Sequence, residues 1–262
     1  MILTIVAFIL ILGFLVLVHE LGHFLMARKF KVGVEEFGLG FPPKVIGKKI
    51  GNTFYSLNAI PLGGFVKIKG EDLSNSEERD SFASRPVWQR TVIVAAGVTM
   101  NIIAGWLVLV ILFSVGAPME ITSDINRSYV RSSDIVITDV LADSPAARAG
   151  LQLGDKIIAL NRQHLTTVAD WQTYVNNNSG QEIAVTYKRE KLEQAVALTP
   201  EKLEDIDANR AVMGVGLSEV GLVRYPVQNA VWMGTQATGG YLKRIVFAFG
   251  GLFKNLWQGS GV

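Results

Sequence analysis

Two long stretches without any charged residue constrain this chain more than any other feature. Residues 1–18 and 91–118 contain no Asp, Glu, Lys or Arg. After a short polar motif, the first stretch stays apolar to Ala27. At a rise of ~1.5 Å per residue, about 27 helical residues extend roughly 40 Å, which exceeds a hydrocarbon core of about 30 Å. The sequence therefore predicts two transmembrane helices, at residues 1–29 and 91–118.

A cleavable secretory signal is the alternative for the first stretch. Such a signal begins with basic residues, has a shorter apolar segment and ends in a small-residue cleavage site. Residues 1–18 have neither a basic start nor such a site before Arg28. A retained helix is the favoured interpretation.

The segment between the two stretches is rich in basic residues. From Arg28 to Arg90 inclusive there are eleven Lys and Arg residues, several of them close to the predicted helix ends. Because short cytosolic loops carry an excess of Lys and Arg, residues 30–90 are predicted to form a cytosol-facing loop. The N-terminus and all residues after Pro118 are then extracytoplasmic.

A third apolar stretch, at 226–257, is interrupted by charge. Lys243 and Arg244 would place two cations near the bilayer centre, at a cost of several kcal/mol, if this stretch crossed the membrane. An amphipathic helix lying on the membrane surface is favoured over a third span. Its aromatic residues at the interface would be Trp232, Tyr241 and Trp257.

Overall composition excludes several classes of protein. The net charge is only +2, which argues against a nucleic-acid partner. The chain has no cysteine, so disulfides, iron–sulfur clusters and thiolate zinc sites are excluded. Any histidine metal site must draw on His19, His23 and His164. His164 follows a turn in the extracytoplasmic part and is predicted to be a surface residue.

The sequence His-Glu-Leu-Gly-His occupies residues 19–23 of the first predicted helix. His19 and His23 are one turn apart, so both imidazoles can reach one zinc ion, while Glu20 can act as general base toward water. Counted back from Arg28, these histidines lie about 13 Å and about 7 Å below the cytosolic interface. Ionisable residues at such depth point to function. A hydrogen-bonded cluster between helices and a proton or metal transport path are the alternatives.

Four features in order give the chain a family resemblance. After the His-Glu-Leu-Gly-His motif come Phe-Gly-Leu-Gly-Phe at 37–41 with Ile-Pro-Leu-Gly-Gly-Phe-Val-Lys at 60–67, and then Ala96-Gly97 with Asn101 in the second span. The fourth is a PDZ-like signature, Ser-Pro-Ala-Ala-Arg-Ala-Gly-Leu-Gln-Leu-Gly-Asp, from residue 144. Together they resemble the site-2 protease family of intramembrane zinc metalloproteases, in the bacterial branch of the sigma-E regulatory protease with a single PDZ domain. Val98 stands where relatives have proline.

This resemblance implies a fold class and a location. The expected fold is a polytopic α-helical membrane protein with a membrane-associated β-hairpin loop and an α+β PDZ-like extracytoplasmic domain. The expected location is the bacterial inner membrane. The lipid bilayer is a partner, and nucleic acid is not.

The resemblance also implies a third zinc ligand that this sequence lacks. In the family it is an aspartate in a Leu-Asp-Gly motif of a later membrane helix, and no Leu-Asp-Gly occurs here. The aspartate is therefore expected beyond Val262, and the chain is expected to be C-terminally truncated. Whether it is active alone is left open.

The cytosol-facing loop contains two predicted strands, Val34–Phe41 and Thr53–Lys69, separated by glycine and proline. In relatives this region forms a β-hairpin beside the zinc. Substrate residues would add as a strand along its edge, so the predicted substrate-binding residues are Gly63, Gly64, Phe65 and Val66. A soluble hairpin is the alternative. Residues 70–86 are polar and are predicted to form an exposed linker.

Residues 121–218, with a core at 121–201, form the predicted PDZ-like domain. Its helix is expected at Val168–Asn177, followed by a hairpin of residues 181–187 and 192–198. Such domains bind extended peptides or protein C-termini. A filter for trimmed substrates and a purely structural cap are both retained as hypotheses.

These features lead to one principal hypothesis and one alternative. The principal one is a zinc metalloendopeptidase for regulated intramembrane proteolysis of transmembrane signalling proteins, such as anti-sigma factors, with substrates filtered by the PDZ-like domain. Glu20 is the predicted catalytic base, His19 and His23 the zinc ligands, and Asn101 a further substrate-binding residue or an interhelical hydrogen-bonding group. The alternative is a non-catalytic membrane adaptor that binds peptides.

Overall fold

The computed structural model describes residues 2–72, 77–202 and 211–258. They form two compact units. The helical unit comprises Met1–Leu109 with Gly234–Val262, and the sheet unit comprises Val110–Met233.

Two helices of the described chain are long and apolar enough to cross a bilayer. They are α1, Ile2–Lys29, and α2, Val87–Val115. The prediction that α2 continues to residue 118 was wrong. Gly116 adopts φ +125°, a conformation that residues with a Cβ rarely adopt, so the helix ends and strand β3, Ala117–Glu120, begins.

Between these helices, β1 (Val34–Ile50) and β2 (Thr53–Ile68) form an antiparallel pair. Each strand contributes two segments, so the pair forms a layer of four. The segments lie side by side in the order 44–50, 53–60, 34–41 and 63–68. β1 is longer than predicted, since residues 42–50 also belong to it, whereas β2 ends one residue before its predicted end. Within the described residues, segments 44–50 and 63–68 pair on one side only and are the edges.

A small apolar core joins the helices to this β-layer. It contains Phe24, Ala27, Val32, Val34, Ile68, Phe82 and Ile93. The prediction that residues 70–86 form an exposed linker was wrong at Ser81 and Phe82, which are 0% and 8% exposed. The backbone N–H of Phe82 donates to the carbonyl of Lys69, and this bond holds the linker against the β-layer. Residues 73–76 of the predicted linker lie outside the described residues.

The sheet unit is built on a six-stranded sheet in the order β3-β10-β4-β5-β6-β7. Its strands after β3 are β4 (Val130–Val140), β5 (Lys156–Leu160), β6 (Ile183–Arg189), β7 (Leu192–Leu198) and β10 (Val215–Val223). The short strands β8 (Glu201–Lys202) and β9 (Ala211–Val212) pair with each other. Sequence patterning missed β10, because two glycines and a Ser-Glu pair interrupt its apolar residues. Residues 203–210 of the predicted domain lie outside the described residues.

Two helices accompany this sheet, α3 (Pro145–Arg148) and α4 (Val168–Asn177). The bounds of α4 agree with the prediction, and the side chain of Thr167 caps it by accepting from the N–H of Asp170. Trp171 of α4 is 2% exposed and lies in one apolar core with Leu160 and Ile183 of the sheet.

The last helix, α5, extends over Val227–Gln258. The predicted helix at 226–257 is thus present, and its position on a membrane surface stays a prediction. Many of its apolar side chains are exposed, among them Trp232 and Phe247 at 63% and 66%. Thr235 accepts a hydrogen bond from the indole N–H of Trp106 on α2. The side chain of Trp257 lies outside the described residues.

Candidate metal centre

The His-Glu-Leu-Gly-His motif lies in the second half of α1. The rings of His19 and His23 are adjacent on one face, with centroids 4.8 Å apart and planes at 77°. This confirms the geometric part of the prediction, which was that spacing of one turn brings both imidazoles together.

Helix α2 packs closely against this face because glycines lie at the contact. A Cβ added at Gly22 would lie 2.4 Å from the carbonyl oxygen of Ala96, so any side chain there would push the helices apart. A Cβ added at Gly97 would lie 2.4 Å from Nε2 of His23 and 2.6 Å from Nε2 of His19. Both Nε2 atoms therefore converge on one small space that the missing side chain of Gly97 leaves open.

The other ring nitrogens are held by α2. Nδ1 of His23 lies 2.8 Å from the carbonyl oxygen of Ile93. A carbonyl only accepts hydrogen bonds, so Nδ1 carries the proton and Nε2 of the neutral ring keeps a free lone pair. Nδ1 of His19 lies 3.3 Å from the side-chain amide of Asn101.

Glu20 contacts the edge segment of β2. Its Oε2 accepts a hydrogen bond from the backbone N–H of Val66 at 3.0 Å. Of the five predicted substrate-binding residues, Val66 therefore contacts the Glu20 carboxylate, and Asn101 lies beside His19. The ring of Phe65 lies over Gly38 of β1. Gly63, at φ +141°, lies against α1, where an added Cβ would be 2.8 Å from Val16. Gly64 approaches the carbonyl of Gly38 in β1.

The donor set fits a zinc ion but is incomplete. Two imidazole nitrogens face one space, and a carboxylate neighbours them, which matches part of a catalytic zinc site. Within residues 2–72, 77–202 and 211–258, no group of three His, Cys, Asp or Glu side chains is placed to hold a metal ion. His164 is exposed in the sheet unit, with Nδ1 3.1 Å from the carbonyl of Ile158, as the sequence predicts for a surface histidine.

The sheet unit contains a groove between α4 and β10. Residues 220–223 of β10 pair with β3, and the carbonyl of Glu219 accepts a hydrogen bond from the N–H of Ile121. Within the described residues, 215–218 pair with β4 alone. This leaves one edge of β10 open toward α4, beside a cavity of about 380 Å³. Its lining includes Val168, Trp171, Gln172 and Val175 of α4 and residues 213–217. An extended peptide can add to such an edge. Sequence analysis expected a peptide-binding domain here but did not locate this groove, because it missed β10.

A buried ion pair stabilises the sheet unit near the PDZ-like motif. Asp155 is 1% exposed, and its two carboxylate oxygens each accept a hydrogen bond from Arg189 at 2.8 Å. Burial by itself would raise the pKa of Asp155, but the guanidinium of Arg189 and the backbone N–H of Gln152 outweigh it. The pKa of this carboxyl is therefore lowered from its ordinary value.

Comparison with known proteins identifies relatives along most of the chain. A family model described as peptidase family M50 matches residues 7–260. A Mesorhizobium japonicum protein named "Putative zinc metalloprotease" is 33% identical over 266 residues, covering 92% of this chain and 69% of its own. An Agrobacterium fabrum protein with the same descriptive name is 32% identical over 263 residues, covering 90% and 65%.

Solved structures of PDZ domains also match part of the chain. The PDZ domain of an SdrC-like protein from Listeria monocytogenes covers 38% of this chain and 93% of its own, at 17% identity and a TM-score of 0.29.

Proposed function

Because the chain belongs to peptidase family M50, we propose that it is the zinc-binding part of an intramembrane endopeptidase. The observation that carries this proposal is the convergence of Nε2 of His19 and Nε2 of His23 on the space before Gly97, with Glu20 on the same helical turn. Two of the three protein ligands of a catalytic zinc ion would come from these histidines. The third, an aspartate by family resemblance, would come from beyond Val262.

The chain spans 69% and 65% of the length of the two relatives compared above. Its activity is therefore proposed for the protein at full length. Zinc, when bound, lowers the pKa of water and polarises the scissile carbonyl.

Glu20 is the group of this chain that moves the proton. Its carboxylate takes a proton from the attacking water and then donates it to the leaving amine, so that the peptide bond is hydrolysed without net proton change at Glu20. The N–H of Val66, 3.0 Å from Oε2, orients the carboxylate and leaves Oε1 for water.

Substrate would reach this carboxylate as an extended strand. A transmembrane helix hides its peptide bonds in internal hydrogen bonds, so it must unwind before cleavage. Segment 63–68 is an edge of the β-layer and contacts Glu20 through Val66. Backbone pairing along this edge would place a scissile carbonyl next to the histidines.

We place the molecule in the bacterial inner membrane, with α1 and α2 spanning it. The basic segment before α2, at 30–86, would face the cytosol, and the six-stranded sheet that follows α2 would be extracytoplasmic. Helix α5 would lie on the outer surface of the bilayer, because its exposed apolar residues are combined with Lys243 and Arg244.

The groove between α4 and β10 would select substrates outside the membrane. Its open strand edge and apolar wall suit an extended peptide or a protein C-terminus. Transmembrane signalling proteins already trimmed on the outside, such as anti-sigma factors, are the proposed substrate class.

Cleavage of a transmembrane model substrate in liposomes tests this function. The full-length protein with zinc should cut the substrate within its membrane segment, and His19→Ala should neither bind zinc nor cut. A protein that binds peptides through the sheet unit but cuts no membrane substrate in either form would instead be an adaptor.

A further inference from the structure

The residues of α2 that face the two histidines recur at every fourth position. Ile93, Gly97 and Asn101 are spaced four apart and therefore lie on one face. Ile93 contacts His23, Gly97 faces both Nε2 atoms, and Asn101 contacts His19. The two helices are thus antiparallel, and each histidine has its own partner on α2.

We infer that Asn101 is a positioning residue for His19: its amide oxygen accepts a hydrogen bond from Nδ1–H and turns Nε2 toward the space before Gly97. The inference rests on the proposed zinc site. It gives a specific role to the interhelical hydrogen bond, which the sequence analysis kept as an alternative to a substrate contact for Asn101.

The hydrogen-bonding chemistry of the ring decides which amide atom faces it. A neutral imidazole carries one proton, so an NH₂ group donating to Nδ1 would leave the proton on Nε2 and block metal binding there. An oxygen accepting from Nδ1–H frees the lone pair of Nε2. The oxygen and the NH₂ group of an Asn side chain are nearly alike in size, so the orientation of the Asn101 amide is assigned from hydrogen bonding.

Two further observations support the oxygen-facing orientation. With the nitrogen of Asn101 toward His19, its oxygen is buried without a hydrogen-bond partner among the described residues. His23 also has an oxygen at Nδ1, the carbonyl of Ile93 at 2.8 Å. Both histidines then have the same arrangement, an oxygen of α2 at Nδ1 and a lone pair at Nε2.

The predicted consequence is a change in zinc affinity. Removing an oxygen that orients a ligating histidine weakens metal binding by about 10- to 100-fold. Asn101→Leu keeps the branching at Cγ but has no acceptor, so it should show this loss. Asn101→Asp keeps an acceptor at Nδ1 and should bind zinc nearly as tightly as the wild type.

The experiment is chelator competition for zinc on the full-length protein in detergent micelles. Thr99→Val is the matched control, because Thr99 is exposed on α2 and its hydroxyl bonds only within the helix, to the carbonyl of Ala95. The Co²⁺-substituted proteins add a spectroscopic readout: the d–d bands of Asn101→Leu should shift, while those of Asn101→Asp and Thr99→Val should not. Circular dichroism checks that each variant keeps its helices.

The outcomes separate this inference from the proposed function. Wild-type zinc affinity and wild-type Co²⁺ bands in Asn101→Leu would overturn the role of Asn101 and leave the zinc site in place. Equal losses in the Leu and Asp variants would also overturn it. A wild-type protein without zinc affinity would overturn both.

Discussion

The backbone N–H of Val66 donates to the carboxylate of Glu20 across 3.0 Å, although the two residues are 46 positions apart. Val66 lies on the edge segment of the β-layer, and Glu20 lies between the two histidines on α1. Because of this contact, segment 63–68 and the proposed base Glu20 belong to one site. A strand paired to the edge would lie beside the carboxylate that must act on it.

Glu20→Gln should separate metal binding from catalysis. The amide oxygen can still accept from Val66, so the fold and the zinc site should persist, but an amide cannot take a proton from water. Cleavage of a transmembrane substrate should fall by about 10²- to 10⁴-fold, with unchanged zinc per chain. Glu35→Gln, which alters only an exposed ion pair with Lys67, is the control. A Glu20→Gln protein that cuts at the wild-type rate would exclude Glu20 as the base.

Gly97→Ala should abolish zinc binding by filling the metal space. The added Cβ would lie within 2.6 Å of both Nε2 atoms, closer than side chains tolerate. Gly105→Ala on the same helix is the control, because an added Cβ there meets nothing within 4 Å. Zinc content after dialysis should drop only in the first variant. Full zinc occupancy in Gly97→Ala would show that the metal is bound elsewhere.

Cross-linking should locate the substrate on one edge of the β-layer. The chain has no cysteine, so Lys67→Cys introduces a single thiol on segment 63–68, where the native side chain is 67% exposed. This thiol should form a disulfide with a cysteine placed near the scissile bond of an uncleaved substrate, trapped in the Glu20→Gln background. Lys49→Cys, on the opposite edge segment 44–50, should not. Stronger cross-linking from Lys49→Cys would move the substrate to that edge.

Sequence patterns predicted the parts of the fold that have long or regular signals. The two apolar helices, α4 and the one-turn spacing of His19 and His23 needed only local information. Strand β10 and the burial of Phe82 were missed, because glycines or polar neighbours mask their apolar residues and tertiary pairing decides their place.

In the candidate metal centre too, sequence patterns predicted the local features and missed those that depend on tertiary packing. The motif predicted the ligands and the base, but three relationships depend on how distant segments pack: the gap at Gly97, the bond from Val66 to Glu20 and the contact of Asn101 with His19. No local sequence pattern determines how these distant segments align with one another.

The sheet unit should lose stability when Arg189 is replaced. Arg189→Gln leaves the buried carboxylate of Asp155 without its charged partner, which costs about 3 kcal/mol. Hydrogen exchange of the peptide that contains β5 should become faster at pH 7. Arg148→Gln, which removes an exposed ion pair with Glu201, should have little effect.

The same ion pair predicts a pH dependence with a definite sign. The pKa of Asp155 is lower in the folded chain than its ordinary value of about 3.9. Its stabilising contribution is therefore complete above about pH 4 and is lost as the pH falls through the folded pKa. The difference in protection between wild type and Arg189→Gln should shrink in that acidic range. A difference that stays constant from pH 7 to pH 3 would contradict this assignment.

Zinc-edge X-ray absorption of the purified full-length protein decides whether His19 and His23 bind the metal. We expect one zinc per chain with two imidazole nitrogens at about 2.0–2.1 Å. His19→Ala and His23→Ala should each remove this signal. A protein loaded with zinc whose spectrum shows no imidazole scattering, or whose spectrum is unchanged by both substitutions, would contradict it.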